Sequence, residues 1–186
     1  DITPVEVEGV ITGSTVVITN SHDNEKTEAS VVKVWNDNNN NDGKRPATLT
    51  VNLLADNNPT GQSVTLTSED NWAEKKITGL DKYKNGNVIV YSWEEGEMLE
   101  GYALTDSSVN GTVTTLTNSH DNEQTEVSVE KIWNDSDNAE GFRPDDVTVK
   151  LLANGEEADT ATLNEDNEWK YTWTGLNKFA DGAEIV

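Results

Sequence analysis

The sequence contains no cysteine. Disulfide bonds, thiolate metal sites and cysteine nucleophiles are therefore excluded. A small unit without disulfides needs another source of stability, because a modest core supplies only a few kcal/mol of net free energy. If the chain works outside the cell, where disulfides are the usual brace, a different covalent link becomes a reasonable hypothesis.

Basic residues and histidines are also scarce. The chain has 13 lysines and arginines, 35 aspartates and glutamates and two histidines, with a formal net charge of -22. Such a surface repels phosphates and anionic lipids, so neither nucleic acid nor a membrane surface is an expected partner. With no histidine cluster, nucleophile motif or metal-ligand spacing, we expect no enzyme acting on an external substrate, no metal and no cofactor.

Long apolar runs are absent as well. No stretch approaches the roughly 20 apolar residues of a membrane helix, and the first residues lack the charged and apolar regions of a signal peptide. Any targeting or anchoring segment is therefore expected outside this sequence.

Two patterns indicate binding sites only weakly. Asn38, Asn40 and Asp42 have the spacing that opens a calcium loop, but Leu49 stands where a bidentate glutamate is needed. An asparagine-rich turn is therefore favoured. The six tryptophans suggest sugar-stacking platforms, yet several fall on faces that alternation assigns to the interior, which favours core packing.

Internal repetition is the dominant feature of what is present. Segments 18–25 and 30–37 return almost unchanged as 116–123 and 128–135. Repetition at domain size, without catalytic motifs, favours a spacer or stalk built from tandem units. The chain divides into the end of one repeat at 1–22, a complete repeat at 27–120, and the first two thirds of another at 125–186.

Short segments rich in valine, threonine, isoleucine and tryptophan alternate with clusters of asparagine, aspartate and glycine. No stretch keeps the apolar period of a helix, so we predict an all-β fold, a tandem array of antiparallel β-sandwiches. One helical turn is expected at 80–86, before its glycine. The predicted strands of the complete repeat are 29–35, 49–55, 63–67, 73–78, 88–95, 102–106 and 113–118.

Three polar residues fall on faces that period-2 alternation assigns to the core. They are Lys33, Glu95 and Asn118, and their apolar neighbours two positions away are Val31 and Trp35, Trp93, and Leu116. Burial of an unpaired charge costs more than the net stability of such a unit, so the three are expected to neutralise one another. The alternative is that the lysine reaches solvent along its aliphatic stem and the other two lie at the surface.

A reactive interpretation follows from the chemistry of buried groups. Burial favours the neutral forms of an amine and of a carboxylic acid, and a neutral amine is a nucleophile. A protonated carboxyl can polarise the asparagine carbonyl and transfer protons while the amine attacks and ammonia leaves. The product would be an isopeptide bond between Lys33 and Asn118, formed once, with Glu95 as the proton shuttle.

An ordered series of motifs resembles one known family. The motifs are Lys-Val-Trp-Asn-Asp at 33–37, Asp-Gly-Lys-Arg-Pro at 42–46, Val-Asn-Leu-Leu-Ala at 51–55, Thr-Gly-Leu at 78–80, Val-Tyr-Ser-Trp-Glu-Glu at 90–95, Gly-Tyr at 101–102 and Thr-Asn at 117–118. Together they resemble the Cna B-type domains, the B repeats of collagen adhesins, found in cell-wall-anchored surface proteins of Gram-positive bacteria. The resemblance covers the complete repeat and, in pieces, both partial ones. It implies an inverse immunoglobulin-like β-sandwich.

The family resemblance also implies a site. Many members carry an autocatalytic bond between a lysine of the first strand and an asparagine of the last, promoted by a buried acid. The matching positions are Lys33, Asn118 and Glu95. Glu94 is the adjacent alternative for the acid, but alternation favours Glu95. Lys131 matches the lysine in the last part of the chain and Asn20 matches the asparagine in the first, so each belongs to an incomplete site.

A functional hypothesis follows from the repeats and the resemblance together. The chain is expected to be an extracellular stalk segment of a cell-wall-anchored adhesin or pilus-like fibre, braced by isopeptide bonds, with neighbouring repeats as its partners. A module that itself binds a host protein or glycan is the alternative. Completion of repeat 125–186 by strands from 1–22 of another chain would further give head-to-tail self-association. The favoured alternative is plain truncation of a longer array, because the counterpart of 91–98 is present at neither end.

Overall fold

The computed structural model describes residues 19–97 and 99–186, and every regular element in this part of the chain is a β-strand. The predicted repeat end at 1–22 lies almost entirely outside the described residues. The strands of the first unit, the region predicted to be a complete repeat, are β1 (Lys26–Asn36), β2 (Thr48–Ala55), β3 (Asn58–Thr67), β4 (Lys75–Asp81), β5 (Tyr83–Lys84), β6 (Asn87–Val88), β7 (Tyr91–Glu95), β8 (Ala103–Asn110) and β9 (Val113–Ser119). Those of the second unit are β10 (Gln124–Glu130), β11 (Asp146–Ala153), β12 (Glu156–Asn164), β13 (Lys170–Asn177), β14 (Phe179–Ala180) and β15 (Ala183–Glu184).

Strands β1 to β9 form two packed sheets and a small hairpin. One sheet has the order β4-β1-β9-β8 and the other β3-β2-β7, while β5 pairs with β6. These pairs are antiparallel except for β1 with β9, which run parallel. The prediction of a β-sandwich is confirmed. The first and last strands nevertheless lie side by side in the same direction, which an alternation pattern cannot reveal.

The two sheets bury one apolar core between them. Val31 on β1 and Leu116 on β9 meet Val51 and Leu53 on β2 and Trp93 on β7. Full burial of side chains of this size contributes about 1.5–3 kcal/mol each, so this cluster is a main source of the unit's stability. The tryptophan here belongs to the core, as the alternation pattern favoured.

Segment 80–86 forms no helical turn, so that expectation is wrong. Tyr83–Lys84 and Asn87–Val88 pair instead as a hairpin whose two loop residues, Asn85 and Gly86, have φ angles of 51° and 82°. Asn-Gly is the preferred dipeptide of such a two-residue loop, because both positions need a positive φ angle, which asparagine and glycine adopt more readily than other residues. The hairpin also divides the long strand predicted after it into β6 and β7.

The second unit repeats the first part of this arrangement. Strand β10 pairs with β13, β11 with β12 and β14 with β15, as β1 does with β4, β2 with β3 and β5 with β6. Leu163 and Trp173 are buried within it. Among the described residues, no helix has the length and apolar character needed to cross a membrane.

A polar joint connects the two units. Asp42, on the loop after β1, lies 2.9 Å from His120 Nε2 and accepts a hydrogen bond of 2.7 Å from the backbone N–H of Glu123. His120 Nδ1 lies 2.6 Å from the carbonyl oxygen of Gly101. A carboxylate and a carbonyl both accept hydrogen bonds, so the ring satisfies both only as the doubly protonated imidazolium. The joint therefore favours a charged histidine.

Contacts from the same loop reach the hairpin β14–β15 of the second unit. Asn41 Nδ2 donates a hydrogen bond of 2.7 Å to the carbonyl of Phe179, and the carbonyl of Asn41 accepts one of 2.9 Å from the N–H of Gly182. Lys44 forms an ion pair with Glu123 in the linker. Backbone and side-chain contacts thus hold the two units together in addition to the linker itself.

The joint is expected to be most rigid at mildly acidic pH. Burial disfavours a charged His120 ring, but its hydrogen bonds to Asp42 and Gly101 outweigh burial and raise the pKa of His120 above 6.5. Burial also disfavours a charged Asp42, but hydrogen bonds from the Glu123 N–H and from His120 outweigh it and lower the pKa of Asp42 below 3.8. Stabilisation by His120 is fully present below its unfolded pKa and is lost as pH rises through the folded pKa. Stabilisation by Asp42 is present above its unfolded pKa and is lost as pH falls through its folded pKa.

Rotational correlation times of the two units, from ¹⁵N relaxation, measure this rigidity. They should coincide near pH about 5.5 and separate near pH about 8.5, and His120→Gln should remove the difference between these conditions. Correlation times that coincide equally at both pH values in the wild type would contradict a histidine-dependent joint.

Candidate cross-linking site

Three strands bring the predicted site residues together. Lys33 lies on β1 and Asn118 on its parallel neighbour β9, while Glu95 ends β7 of the facing sheet. The side chain of Lys33 is 0% exposed and that of Glu95 is 12% exposed, and Asn118 is 1% exposed. Glu94 is exposed. Alternation along each strand thus turns the three site residues inward and the neighbouring glutamate outward.

Short polar contacts connect the three side chains. Asn118 Nδ2 donates a hydrogen bond of 2.9 Å to Glu95 Oε2, and the other carboxylate oxygen lies 3.7 Å from Lys33 Nζ. Lys33 Nζ also donates to the carbonyls of Val34 at 2.9 Å and Leu116 at 3.1 Å. A neutral amine has two N–H donors and one lone pair, so these two carbonyls can engage both donors and leave the lone pair free.

Burial makes the neutral amine accessible near neutral pH. Removal of the amine from water lowers the pKa of Lys33 to about 8, although the carboxylate of Glu95 favours the charged form. At pH 7 roughly a tenth of these amines are then unprotonated, compared with fewer than about one in a thousand for an ordinary lysine. A nucleophilic amine is therefore available inside the core.

Two buried oxygens at the site have no hydrogen-bond partner, Glu95 Oε1 and Asn118 Oδ1. An unsatisfied buried acceptor costs about 1–3 kcal/mol, so the unreacted triad carries a free-energy cost. Rotation of the Asn118 amide about its last side-chain bond exchanges Nδ2 and Oδ1. In that orientation Oδ1 faces the Glu95 carboxyl group, and a proton transferred to that group would polarise the carbonyl that the amine would attack.

An aromatic and ionic network borders the lysine. Lys33 Nζ lies 4.3 Å from the centroid of the Trp35 ring, and Arg45 Cζ lies 5.7 Å from the same centroid. Arg45 donates two hydrogen bonds to the buried carboxylate of Asp37, which also accepts one from the hydroxyl of Tyr102. Sequence reasoning did not single out this network, although Lys-x-Trp-Asn-Asp and Arg-Pro recur in the second unit and could have indicated it.

The two incomplete sites keep different amounts of this geometry. Lys131 Nζ donates to the carbonyl of Ile132 at 2.9 Å and lies 4.1 Å from the centroid of Trp133. Asn20 is exposed and lies in no strand. Head-to-tail self-association through residues 1–22 of another chain stays a prediction.

The asparagine-rich loop directs its oxygens at N–H donors. Asn40 Oδ1 accepts a hydrogen bond from the backbone N–H of Arg45 at 2.8 Å, and Asp42 accepts those of the joint. Asn38, Asn39 and Asn40 have φ angles of 51°, 58° and 61°, a left-handed run that asparagine tolerates better than most residues. The side-chain oxygens of Asn40 and Asp42, which a calcium loop would direct at the ion, are thus engaged by N–H donors, and this favours the turn interpretation.

The joint is the feature that the sequence patterns left without a role. They assign no chemistry to the two histidines, because each is isolated along the chain. A repeated signal was nevertheless present, since His-x-x-Glu occurs at 22–25 and again at 120–123. A polar pair that returns at both linkers, outside the strands, indicates a contact shared by successive units.

The fold and the triad together define a class, that of β-sandwich repeats whose neighbouring first and last strands carry a buried lysine and asparagine. The family model for the Cna protein B-type domain matches residues 29–119 and 127–186. The chain therefore belongs to the Cna B-type domain family, as its motifs predicted.

A staphylococcal protein and a solved structure of two repeat units are similar to this chain. The collagen adhesin of Staphylococcus aureus is 40% identical over 176 residues, which cover 94% of this chain and 14% of that protein. The crystal structure of two B repeat units of the collagen-binding protein of Staphylococcus aureus matches with a TM-score of 0.79 at 38% identity, covering 87% of this chain and 43% of that one. The chain spans a small part of the adhesin, and repeats of this family adjoin one another in tandem.

Proposed function

We propose that this chain is a structural stalk segment of a surface adhesin, and that its first unit is braced by a bond between Lys33 and Asn118 that the unit forms on itself. The buried triad carries the proposal. An amine with a lowered pKa lies 3.7 Å from a carboxyl group that also binds the target amide. The bond forms once and no external substrate is turned over, so the unit acts as a structural domain.

The reaction exchanges one nitrogen for another on the Asn118 side chain. A proton passes from the Lys33 ammonium to the facing Glu95 carboxylate, 3.7 Å away, and this gives the neutral amine and the neutral acid that the reaction needs. The amine then attacks Cγ while Glu95 donates this proton to Oδ1. The resulting carboxylate takes a proton from the attacking nitrogen and delivers it to Nδ2. The Cγ–Nδ2 bond then breaks, ammonia leaves, and Oδ1 returns its proton so that Glu95 is again a neutral acid.

The position of the bond suits a unit that carries tension. Strand β1 enters the first unit and β9 leaves it, and the two are parallel neighbours. A bond between Lys33 and Asn118 would pass tension from one to the other, so that the strands between them are bypassed. Closing a loop of nearly the whole unit adds on the order of 4 kcal/mol by chain entropy. The effect on mechanical resistance is larger than this thermodynamic one, since extending the strands between Lys33 and Asn118 would require rupture of a covalent bond.

An extracellular, cell-wall-anchored location belongs to the same proposal. The similar protein that covers most of the chain is named a collagen adhesin. The absence of cysteine leaves an exported repeat in need of another brace, which the proposed bond supplies. The polar joint supports an array in which successive units are held in a defined relation along the stalk.

Intact-mass spectrometry of the purified chain tests the bond. The wild type is expected to be lighter than its sequence mass by one ammonia, and a digest should contain the Lys33 and Asn118 peptides joined. Asn118→Ala should show its full mass. Asn110→Ala, on the exposed strand β8, should keep the deficit. A full sequence mass for the wild type would refute the proposal.

A further inference from the structure

Two contacts of Lys33, with the carbonyl of the following residue and with the tryptophan two residues on, recur at Lys131, whereas the full burial of its side chain does not. Lys33 Nζ donates to the carbonyl of the following residue at 2.9 Å, and Lys131 Nζ does so at the same distance. The distances to the tryptophan two residues on are 4.3 and 4.1 Å. Among the described residues, Lys131 forms neither an ion pair with an acid nor a hydrogen bond with an asparagine. These two contacts of the lysine therefore form without an acid or an asparagine beside it.

An arginine accompanies each tryptophan. Arg45 Cζ lies 5.7 Å from the centroid of Trp35, and Arg143 Cζ lies 5.6 Å from that of Trp133. Both are within the range of a cation–π interaction, to which guanidinium groups are well suited. Each indole ring thus lies within cation–π range of one lysine and one arginine. In the first unit the lysine is the residue proposed to react.

A carboxylate holds each arginine in turn. Arg45 donates to Asp37 through Nε at 2.9 Å and Nη2 at 2.5 Å, and Arg143 donates to Asp135 through the same atoms at 3.0 and 2.8 Å. Two parallel hydrogen bonds fix the plane of a guanidinium group. An asparagine side chain of the loop also accepts the backbone N–H of each arginine. The loop therefore sets where the guanidinium lies relative to the indole.

We propose that Trp35, Asp37 and Arg45 form a cradle that positions the Lys33 amine for bond formation, and that residues 33–45 assemble it independently of Asn118. The inference rests on the proposed function, since the cradle serves that bond. Arg45 acts through Trp35 and is a positioning residue. The indole limits the motion of the Lys33 amine. The two N–H groups of the neutral amine then stay on the backbone carbonyls, and its lone pair stays free to attack the Asn118 amide.

The second unit allows the cradle to be measured without the bond. Protons near the face of an indole ring resonate upfield, so the Hε signals of Lys131 should lie upfield of those of the exposed Lys150. Arg143→Gln is expected to remove most of this shift although it leaves the lysine and the tryptophan in place, and Arg143→Lys should restore part of it. Glu130→Gln removes only an exposed ion pair of the same unit and should leave the shift unchanged. An unchanged Lys131 shift in Arg143→Gln overturns the cradle.

In the first unit the measurement is the rate of bond formation. Chain made by cell-free synthesis and quenched in acid at intervals gives the time course of ammonia loss by intact mass. Arg45→Gln should slow it by about tenfold, since misplacement of a reacting group by about 1 Å can cost roughly 100-fold. The variant should also shift the pH midpoint of the rate upward, because the amine loses a neighbouring cation.

The outcomes separate the cradle from the proposed function. Equal rates and equal pH midpoints in the wild type and folded Arg45→Gln overturn the cradle in the first unit. If the wild type loses no ammonia, the proposed function fails, and the Lys131 shift in the second unit alone decides whether the cradle exists.

Discussion

Replacement of Glu95 by glutamine is expected to leave residues 33 and 118 unlinked and to lower the free energy of unfolding of the first unit by about 4 kcal/mol. Glutamine keeps the size of the side chain but cannot give and take up the proton that the exchange of nitrogens requires. Stability is lost because, without the cross-link, the unfolded chain regains the conformational entropy that the closed loop had removed. Urea denaturation followed through resolved NMR signals of each unit, with intact mass on the same samples, measures both effects.

Glu94→Gln is the matched control for this variant. Glu94 is adjacent in sequence but exposed, on the opposite face of β7. Its replacement should keep both the ammonia deficit and the stability of the first unit. The unfolding of the second unit should be the same in both variants. A Glu95→Gln chain that still lost one ammonia would show that another group transfers the protons.

The residues of the site could be predicted because their direction depends on strand alternation alone. Lys33, Glu95 and Asn118 each have apolar neighbours two positions away, so their side chains point inward wherever the strands lie in the sandwich. The relation between the strands could not be predicted in this way. The parallel pairing of β1 with β9 results from closure of the whole unit, and it was the family resemblance that implied a bond between them.

The features that sequence patterns missed depend on local turn chemistry or on distant contacts. The expected helical turn at 80–86 neglects the Asn85–Gly86 dipeptide, whose preference for a tight hairpin outweighs the helical tendency of the flanking residues. The His-x-x-Glu repeat marks His120 but does not name its partner. Its role appears only when the loop that carries Asp42 is brought to the linker, from far away in the sequence.

The proposed bond and the observed joint would act in series along the chain. Asn118 lies two residues before His120, so tension leaving the bond enters the joint directly. The bond protects the interior of the unit, whereas the joint consists of hydrogen bonds and ion pairs that reform after separation. Under load, the joints are therefore expected to yield first and reversibly while the linked units stay folded.

The Asp37–Arg45 ion pair of the cradle is expected to contribute strongly to the stability of the first unit. Asp37 is 0% exposed at its side chain and accepts hydrogen bonds from Tyr102, the backbone N–H of Asn40 and twice from Arg45. Asp37→Ala leaves the guanidinium without its counter-charge in a mostly buried place. Loss of one partner of a buried pair costs about 3–5 kcal/mol, which urea denaturation of the first unit would measure.

The second unit supplies the matched comparison. Asp135 makes the same two bonds to Arg143, but its side chain is 30% exposed and water can replace the lost contacts. Asp135→Ala should therefore cost the second unit only about 1 kcal/mol. Intact mass recorded on each variant shows separately whether the cross-link still forms. Equal losses in the two units would mean that the Asp–Arg geometry, and not its burial, determines the free energy of this contact.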